Sequence, residues 1–159
     1  MKVAALLTAA LLAVGTSVYA SAGTSGIVLK TAASQSSVDG PAENFIGKVT
    51  VGSRFQPVAP SRVGGGLVTF AAGARTAWHS HPLGQTLVVT EGSGRVQHWG
   101  GPVQTIETGD VAWIPPGVKH WHGAGEMSAM AHVAIAEALD GRSVTWMGHV
   151  SDEQYSKAD

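Results

Sequence analysis

The sequence predicts an all-β domain, a sandwich or barrel of short antiparallel strands with one short helix at its C-terminal end. Two features carry that prediction. Short runs rich in Val, Ile, Thr and Trp recur along the chain, and turn signals bearing Gly or Pro separate them. Only 13% of the 159 residues are charged, too few for the solvated faces of a helical bundle, while 44% are apolar, enough for one core. No repeat with a period of roughly 20 to 50 residues is present, so a single domain is expected.

Residues 1–20 begin Met1-Lys2, run apolar from 3 to 14 and end with small or modest side chains at Val18 and Ala20. That is the pattern of a cleavable secretory leader. The apolar run falls short of the about 20 residues that a membrane span needs. Cleavage is expected after Ala20 or Ala22, giving a periplasmic or secreted protein with no membrane attachment and one positive charge fewer, that of Lys2. Residues 21–39, rich in Ser, Thr, Ala and Gly, read as a flexible N-terminal segment. The packed domain is expected over 40–159.

Within it the turn signals are Gly64-Gly65-Gly66, Ala72-Gly73, Glu91-Gly92-Ser93-Gly94, Gly100-Gly101-Pro102, Thr108-Gly109-Asp110 and Pro115-Pro116-Gly117. Strands are expected between them at 67–70, 86–90, 95–99, 103–106, 111–114 and 129–135. Strands at this spacing make a sandwich or barrel. Near the end, Ser151-Asp152-Glu153-Gln154 matches a capping box with acidic groups in the first turn, which predicts a short, peripheral helix.

Composition excludes several function classes. Ten basic residues stand against eleven acidic ones, a formal charge of −1, and no Lys/Arg cluster occurs, so nothing points to nucleic acid. The chain has no cysteine, which removes disulfides, thiolate zinc sites and cysteine nucleophiles. Any metal must be held by His, Gln, Asp or Glu.

The histidines supply such ligands. Trp78-His79-Ser80-His81 puts two imidazoles at i and i+2, on one face of a strand. After the Pro82-Leu83-Gly84 bend, Gln85 can return an amide oxygen to the same point. Lys119-His120-Trp121-His122 repeats the same-face pair just after the Pro115-Pro116-Gly117 turn. His98 and His149 have no such partner and read as ordinary hydrogen-bonded or surface residues.

The spacings Gly73-x5-His79-x-His81-x3-Gln85-x6-Gly92 and Gly109-x5-Pro115-x-Gly117-x2-His120 resemble the two motifs of the cupins. The resemblance implies an antiparallel jelly-roll barrel holding a metal in its mouth, with the barrel core at about 62–138. It also implies that His79, His81 and His120 are ligands and that Gln85 stands where most cupins have Glu. Four neutral ligands leave a divalent ion its full charge, which makes it a stronger Lewis acid and favours an anionic ligand. Ala124 replaces the Asn that usually closes the second motif. The stretch 73–87, the 119–124 segment, Ala129-Met130-Ala131-His132 and Trp146-Met147 are similar to small bacterial cupins. That group includes manganese-dependent (R)-selective hydroxynitrile lyases and proteins associated with carboxymuconolactone decarboxylases. From that likeness His132 is expected to be a general base, and one divalent transition metal per chain is expected, Mn(II) ahead of Fe, Ni or Zn.

Three function classes follow. One is a metal-dependent lyase of small cyanohydrin or aldehyde substrates, with His132 moving the hydroxyl proton. The others are a metal-dependent dioxygenase and a noncatalytic cupin that binds a small molecule. His122, on the face of His120, is expected to orient a ligand or wall the pocket, and Arg75 and Thr76 to donate hydrogen bonds to a substrate oxygen. Trp78, Trp113, Trp121 and Trp146 are expected to pack the barrel and its outer face, with Gln97 and Trp99 in its wall or at its surface. Phe45, Phe55, Val68, Leu87 and Val89 are candidates for core or pocket lining. Residues 41–60 read as an edge segment through which two chains pair, giving a homodimer or homotetramer.

Overall fold

The turn-punctuated runs form twelve strands among the described residues, which are 26–156 of a computed structural model. The expected leader and its cleavage point lie outside the described residues. The strands are β1 (Val38–Asp39), β2 (Phe45–Ile46), β3 (Val49–Phe55), β4 (Val63–Phe70), β5 (Arg75–Thr76), β6 (His79–Ser80), β7 (Gln85–His98), β8 (Gln104–Glu107), β9 (Val111–Ile114), β10 (His120–Ala124), β11 (Met130–Glu137) and β12 (Thr145–Trp146), followed by α1 (Asp152–Ser156). Every pairing among them is antiparallel. β1 takes Val38 and Asp39, the end of the segment expected to be flexible, into the sheet beside β3.

One long strand joins the two layers of the barrel. The turn expected at 91–94 is instead a bend inside β7: its first half, Gln85 to Gly92, pairs with β11, and its second half, Gly94 to His98, pairs with β10. β1, β3, β4, β11, the first half of β7 and β9 make one layer. The second half of β7, β8, β10, β5, β6, β2 and β12 make the other. The bend needs Gly92, whose φ is +74° and where a Cβ would run into the Ala129 carbonyl. A turn signal that long strands also use for bends cannot be told apart in sequence.

Alternation along the strands sends Val49, Val68, Phe70, Val89, Val96, Ile106 and Met130 into a shared core at one end of the barrel. A second cluster, Trp78, Trp121, Val150 and Tyr155, seats α1 on the outside of the barrel. The capping box forms as expected, with Ser151 N–H donating to Gln154 Oε1 at 3.0 Å and Gln154 N–H to Ser151 Oγ at 3.2 Å. The helix is less peripheral than expected, because Tyr155 is buried and its hydroxyl donates to the Ala124 carbonyl at 2.8 Å.

Candidate metal centre

The end of the barrel left open by the core holds a cavity of about 490 Å³, lined by His79, His81, Gln85, His122, Thr76 and Trp146 on one side and by β3, β4 and β11 on the other. Strand pairing assembles its polar wall. β10 lies between β6 and the second half of β7, so His120 stands directly across from His79. Gln85 begins β7, where the bend after His81 returns the chain. His79, His81, Gln85, His120, His122 and His132 are all buried.

The hydrogen bonds of three rings fix their tautomers. His79 Nδ1 lies 2.9 Å from the Ala77 carbonyl, His120 Nδ1 2.9 Å from that of Val118, and His81 Nδ1 is bonded to that of Ser143. A carbonyl only accepts, so each Nδ1 carries the hydrogen and each Nε2 presents a lone pair. Those lone pairs meet Gln85: its Oε1 is 3.0 Å from His120 Nε2, and its side chain lies beside His79 and His81 as well. Among the described residues His81 Nε2 is buried with no partner. Three acceptor nitrogens and an amide oxygen facing one another are mutually unsatisfied until a cation sits among them, so this donor set fits a divalent ion.

Burial lowers the pKa of every ring here. His120 is pushed down to about 4, and His79 and His81 fall below the ordinary histidine value, His79 also because His120 is close. Neutral imidazoles are the form that binds metal.

The structure places His132 and Arg75 away from the cavity they were expected to face, and His122 and Thr76 in its wall. His122 sits nearer the centre than expected: the ligand atoms of His79, His120 and His122 lie within 4.8 Å of one another. Its Nδ1 is 3.0 Å from His132 Nε2, which leaves its own Nε2 buried without a partner. His132, expected to face substrate as the base, does not line the cavity; it lies beneath His122 against Phe70, ring centroids 5.4 Å apart. Arg75 points away altogether. Its guanidinium donates to the Val150 carbonyl at 3.1 Å, pairs with Asp152 at 2.6 Å and stacks 4.5 Å over the Tyr155 ring. Adjacent strand residues face opposite sides, so Arg75 and Thr76 cannot both enter the cavity, and Thr76 is the one that does. Thr76 Oγ1 accepts from the His122 N–H at 3.2 Å, leaving its own hydrogen free to donate.

Of the other residues singled out, Phe45, Phe55 and Val68 line the cavity, and Leu87 and Val89 are core. Trp78 and Trp121 are buried, while Trp113 and Trp99 are 59% and 55% exposed. His98 is exposed, and His149 Nε2 donates to the Glu43 carbonyl. Two contacts at the site were not foreseen, although Trp146 itself was expected to pack the barrel. Trp146 packs on His79 with ring centroids 4.8 Å apart, and the Ser143 carbonyl aims His81. A backbone carbonyl leaves no residue signature, whereas Trp146 pairs with His79 across β12 and β6 and was legible only as an aromatic.

A jelly-roll barrel whose two His-x-His pairs could hold a metal is the class that this fold and site define. The Cupin domain family matches residues 66–135. An (R)-mandelonitrile lyase from Granulicella tundricola is 55% identical over 129 residues, covering 81% of this chain and 98% of that protein. A cupin-like protein from Thermotoga maritima has a solved structure with 39% identity and a TM-score of 0.69, over 76% of this chain and 91% of that one. A cupin-2 domain from Rhodospirillum rubrum, 13% identical with a TM-score of 0.61 over 80% and 82% of the two chains, shares the fold. The chain belongs to the cupin family.

Proposed function

We propose that the protein is a metal-dependent lyase that interconverts a cyanohydrin with its aldehyde and hydrogen cyanide. The observation that carries the reading is the convergence of four uncharged donors, His79, His81, Gln85 and His120, beside the His122–His132 pair, with His79, His81, Gln85 and His122 forming the polar wall of a cavity that is otherwise largely apolar. These four donors would hold the ion, proposed to be manganese. A bound divalent ion supplies Lewis acidity, drawing electron density from an oxygen or cyanide brought to it.

The chain's own residues then account for the proton. His122 faces the cavity with a lone pair on Nε2 when its Nδ1–H donates to His132 Nε2. It accepts the hydroxyl proton as the carbon–nitrile bond breaks; the O–H electron pair becomes the carbonyl and the bonding pair leaves with cyanide. The proton then passes to cyanide, giving hydrogen cyanide and a neutral ring again. Thr76 donates its hydroxyl hydrogen to the substrate oxygen. Among the described residues no Asp or Glu lines the cavity and Arg54 does, Arg62 being paired with Glu137 at 3.0 Å, so the lining leans toward an anion such as cyanide. The 55% identity to a protein named (R)-mandelonitrile lyase supports the same substrate class. Export through the residue 1–20 leader and assembly as a homodimer or homotetramer are proposed with it, to be checked by N-terminal sequencing of the exported protein and by sedimentation.

The test is metal analysis of the purified protein followed by mandelonitrile cleavage after reconstitution with Mn(II). Stoichiometric metal with cleavage upholds the lyase. Metal without cleavage moves the reading to oxygen-dependent chemistry, and no metal leaves a binding protein.

A further inference from the structure

The wall of the cavity opposite the histidines is shaped by an irregularity in β3. Pairing with β4 runs in regular register from Val49↔Phe70 to Gly52↔Leu67 and then shifts by one residue, so that Phe55 faces Gly65. The extra residue lies around Ser53, which has φ +45°, a left-handed conformation that residues other than Gly rarely adopt. Beyond it the Phe55 ring lies over the main chain of Gly65. A Cβ there would fall 2.7 Å from Phe55 Cζ and against the Ala134 carbonyl, so only glycine admits the ring. Phe55 is nonetheless 38% exposed and shares the cavity with His79, His81 and Gln85. Phe45 and Trp146 enter the same cavity from the other layer, their rings edge to face at 5.6 Å.

A bulge and a glycine thus combine to hold a large apolar ring over a cavity, where part of its surface stays wet. Such a ring gains contact when an apolar group of the ligand covers it, and aromatic pairs gain beyond their buried area. We infer that Phe55 is the specificity-determining residue of this site: it packs against the carbon substituent of the substrate and selects aryl over small aliphatic cyanohydrins. This rests on the lyase reading for its substrate class. Phe55 touches no reacting atom; it sets which substituent is held while the hydroxyl and nitrile meet the histidine wall.

The full chain, loaded with Mn(II), is compared as wild type, Phe55→Ala and Phe55→Leu on mandelonitrile and lactonitrile. The ratio of the two kcat/KM values, aryl over methyl, falls about tenfold in Phe55→Ala, and Phe55→Leu recovers part of it. Equal losses on both substrates, or an unchanged ratio in both variants, overturns the inference. A parallel calorimetric titration with benzoate and acetate needs no turnover. Benzoate weakened about tenfold relative to acetate in Phe55→Ala upholds the role of Phe55, and parallel weakening overturns it. If the wild type cleaves neither nitrile, the lyase reading fails and the titration alone decides the role of Phe55. Phe55→Leu keeps the test open should the alanine variant not fold.

Discussion

His122 Nδ1 and His132 Nε2 lie 3.0 Å apart in the interior of the barrel, and the outer nitrogen of each ring has no partner among the described residues. Burial lowers the pKa of both, His132 to about 4, so two neutral rings share one hydrogen. The pair therefore acts as a unit. His122→Ala removes the proton acceptor and lowers kcat by about 10² to 10⁴. His132→Ala lowers kcat by about tenfold or more with metal retained, because His122 loses the partner that fixes its tautomer. The double variant falls no further than His122→Ala. Full turnover in His132→Ala, measured on metal-replete protein, would remove the pair from the mechanism.

Two rings are candidates for the third histidine position around the proposed ion. His122 has a ligand atom within 4.8 Å of those of His79 and His120, but its Nδ1 is tied to an imidazole, which can donate or accept. His81 is held, like His79 and His120, by a carbonyl that forces its Nε2 lone pair toward Gln85. Metal analysis should accordingly find little metal in His79→Ala or His81→Ala, with affinity down more than about 100-fold, and one ion per chain in His122→Ala. One metal per chain in His79→Ala would sink the ligand assignment.

Wherever it rests on local pattern, the fold is legible in the sequence. The 111–114 strand and the capping box at Ser151 emerge in place because alternation and capping act over a few residues. The convergence of the histidines is legible for the same reason, since His-x-His on a strand fixes a common face before anything else is known. What is not legible needs the barrel closed. The depth of His132, the carbonyl that aims His81 and the contact between Trp146 and His79 depend on β10, β11 and β12 meeting strands far away in the chain. Arg75 shows the converse failure. Its type suggested chemistry, while its place one residue before the inward Thr76 already sent it outward.

Arg75 instead holds the C-terminal helix. Its ion pair with Asp152 is worth little, since Asp152 is 92% exposed and solvent screens it. Its buried bonds to the Val150 carbonyl and its stacking on Tyr155 matter more. Arg75→Ala is expected to cost about 2 to 4 kcal/mol of stability in urea unfolding. Arg75→Met keeps part of the packing and costs less. Both variants retain wild-type kcat/KM when folded and loaded with metal. A specific loss of kcat at unchanged stability would return Arg75 to the site.

Acid should unfold the metal-free protein through these same histidines. In the unfolded chain each titrates near 6.5, whereas in the folded barrel burial holds His120 and His132 down to about 4. Below pH 6.5 the unfolded state therefore binds more protons than the folded one, and stability falls as pH drops from about 6.5 to about 4. Each of the two contributes about 3 kcal/mol to that loss, a large part of a typical domain's stability. His79 and His122, shifted in the same direction, add to it. Metal opposes the loss at the ligands, because the ion occupies the lone pairs that protons would take, so the apparent acid midpoint moves to lower pH with added Mn(II). Urea unfolding of the metal-free chain between pH 7 and pH 4.5 measures the slope. His132→Phe, which keeps an aromatic ring at that depth and has nothing to titrate, should flatten it by roughly the share of one histidine. A stability independent of pH across that range would mean that these rings are solvated, and with them the dry floor beneath the cavity would be lost.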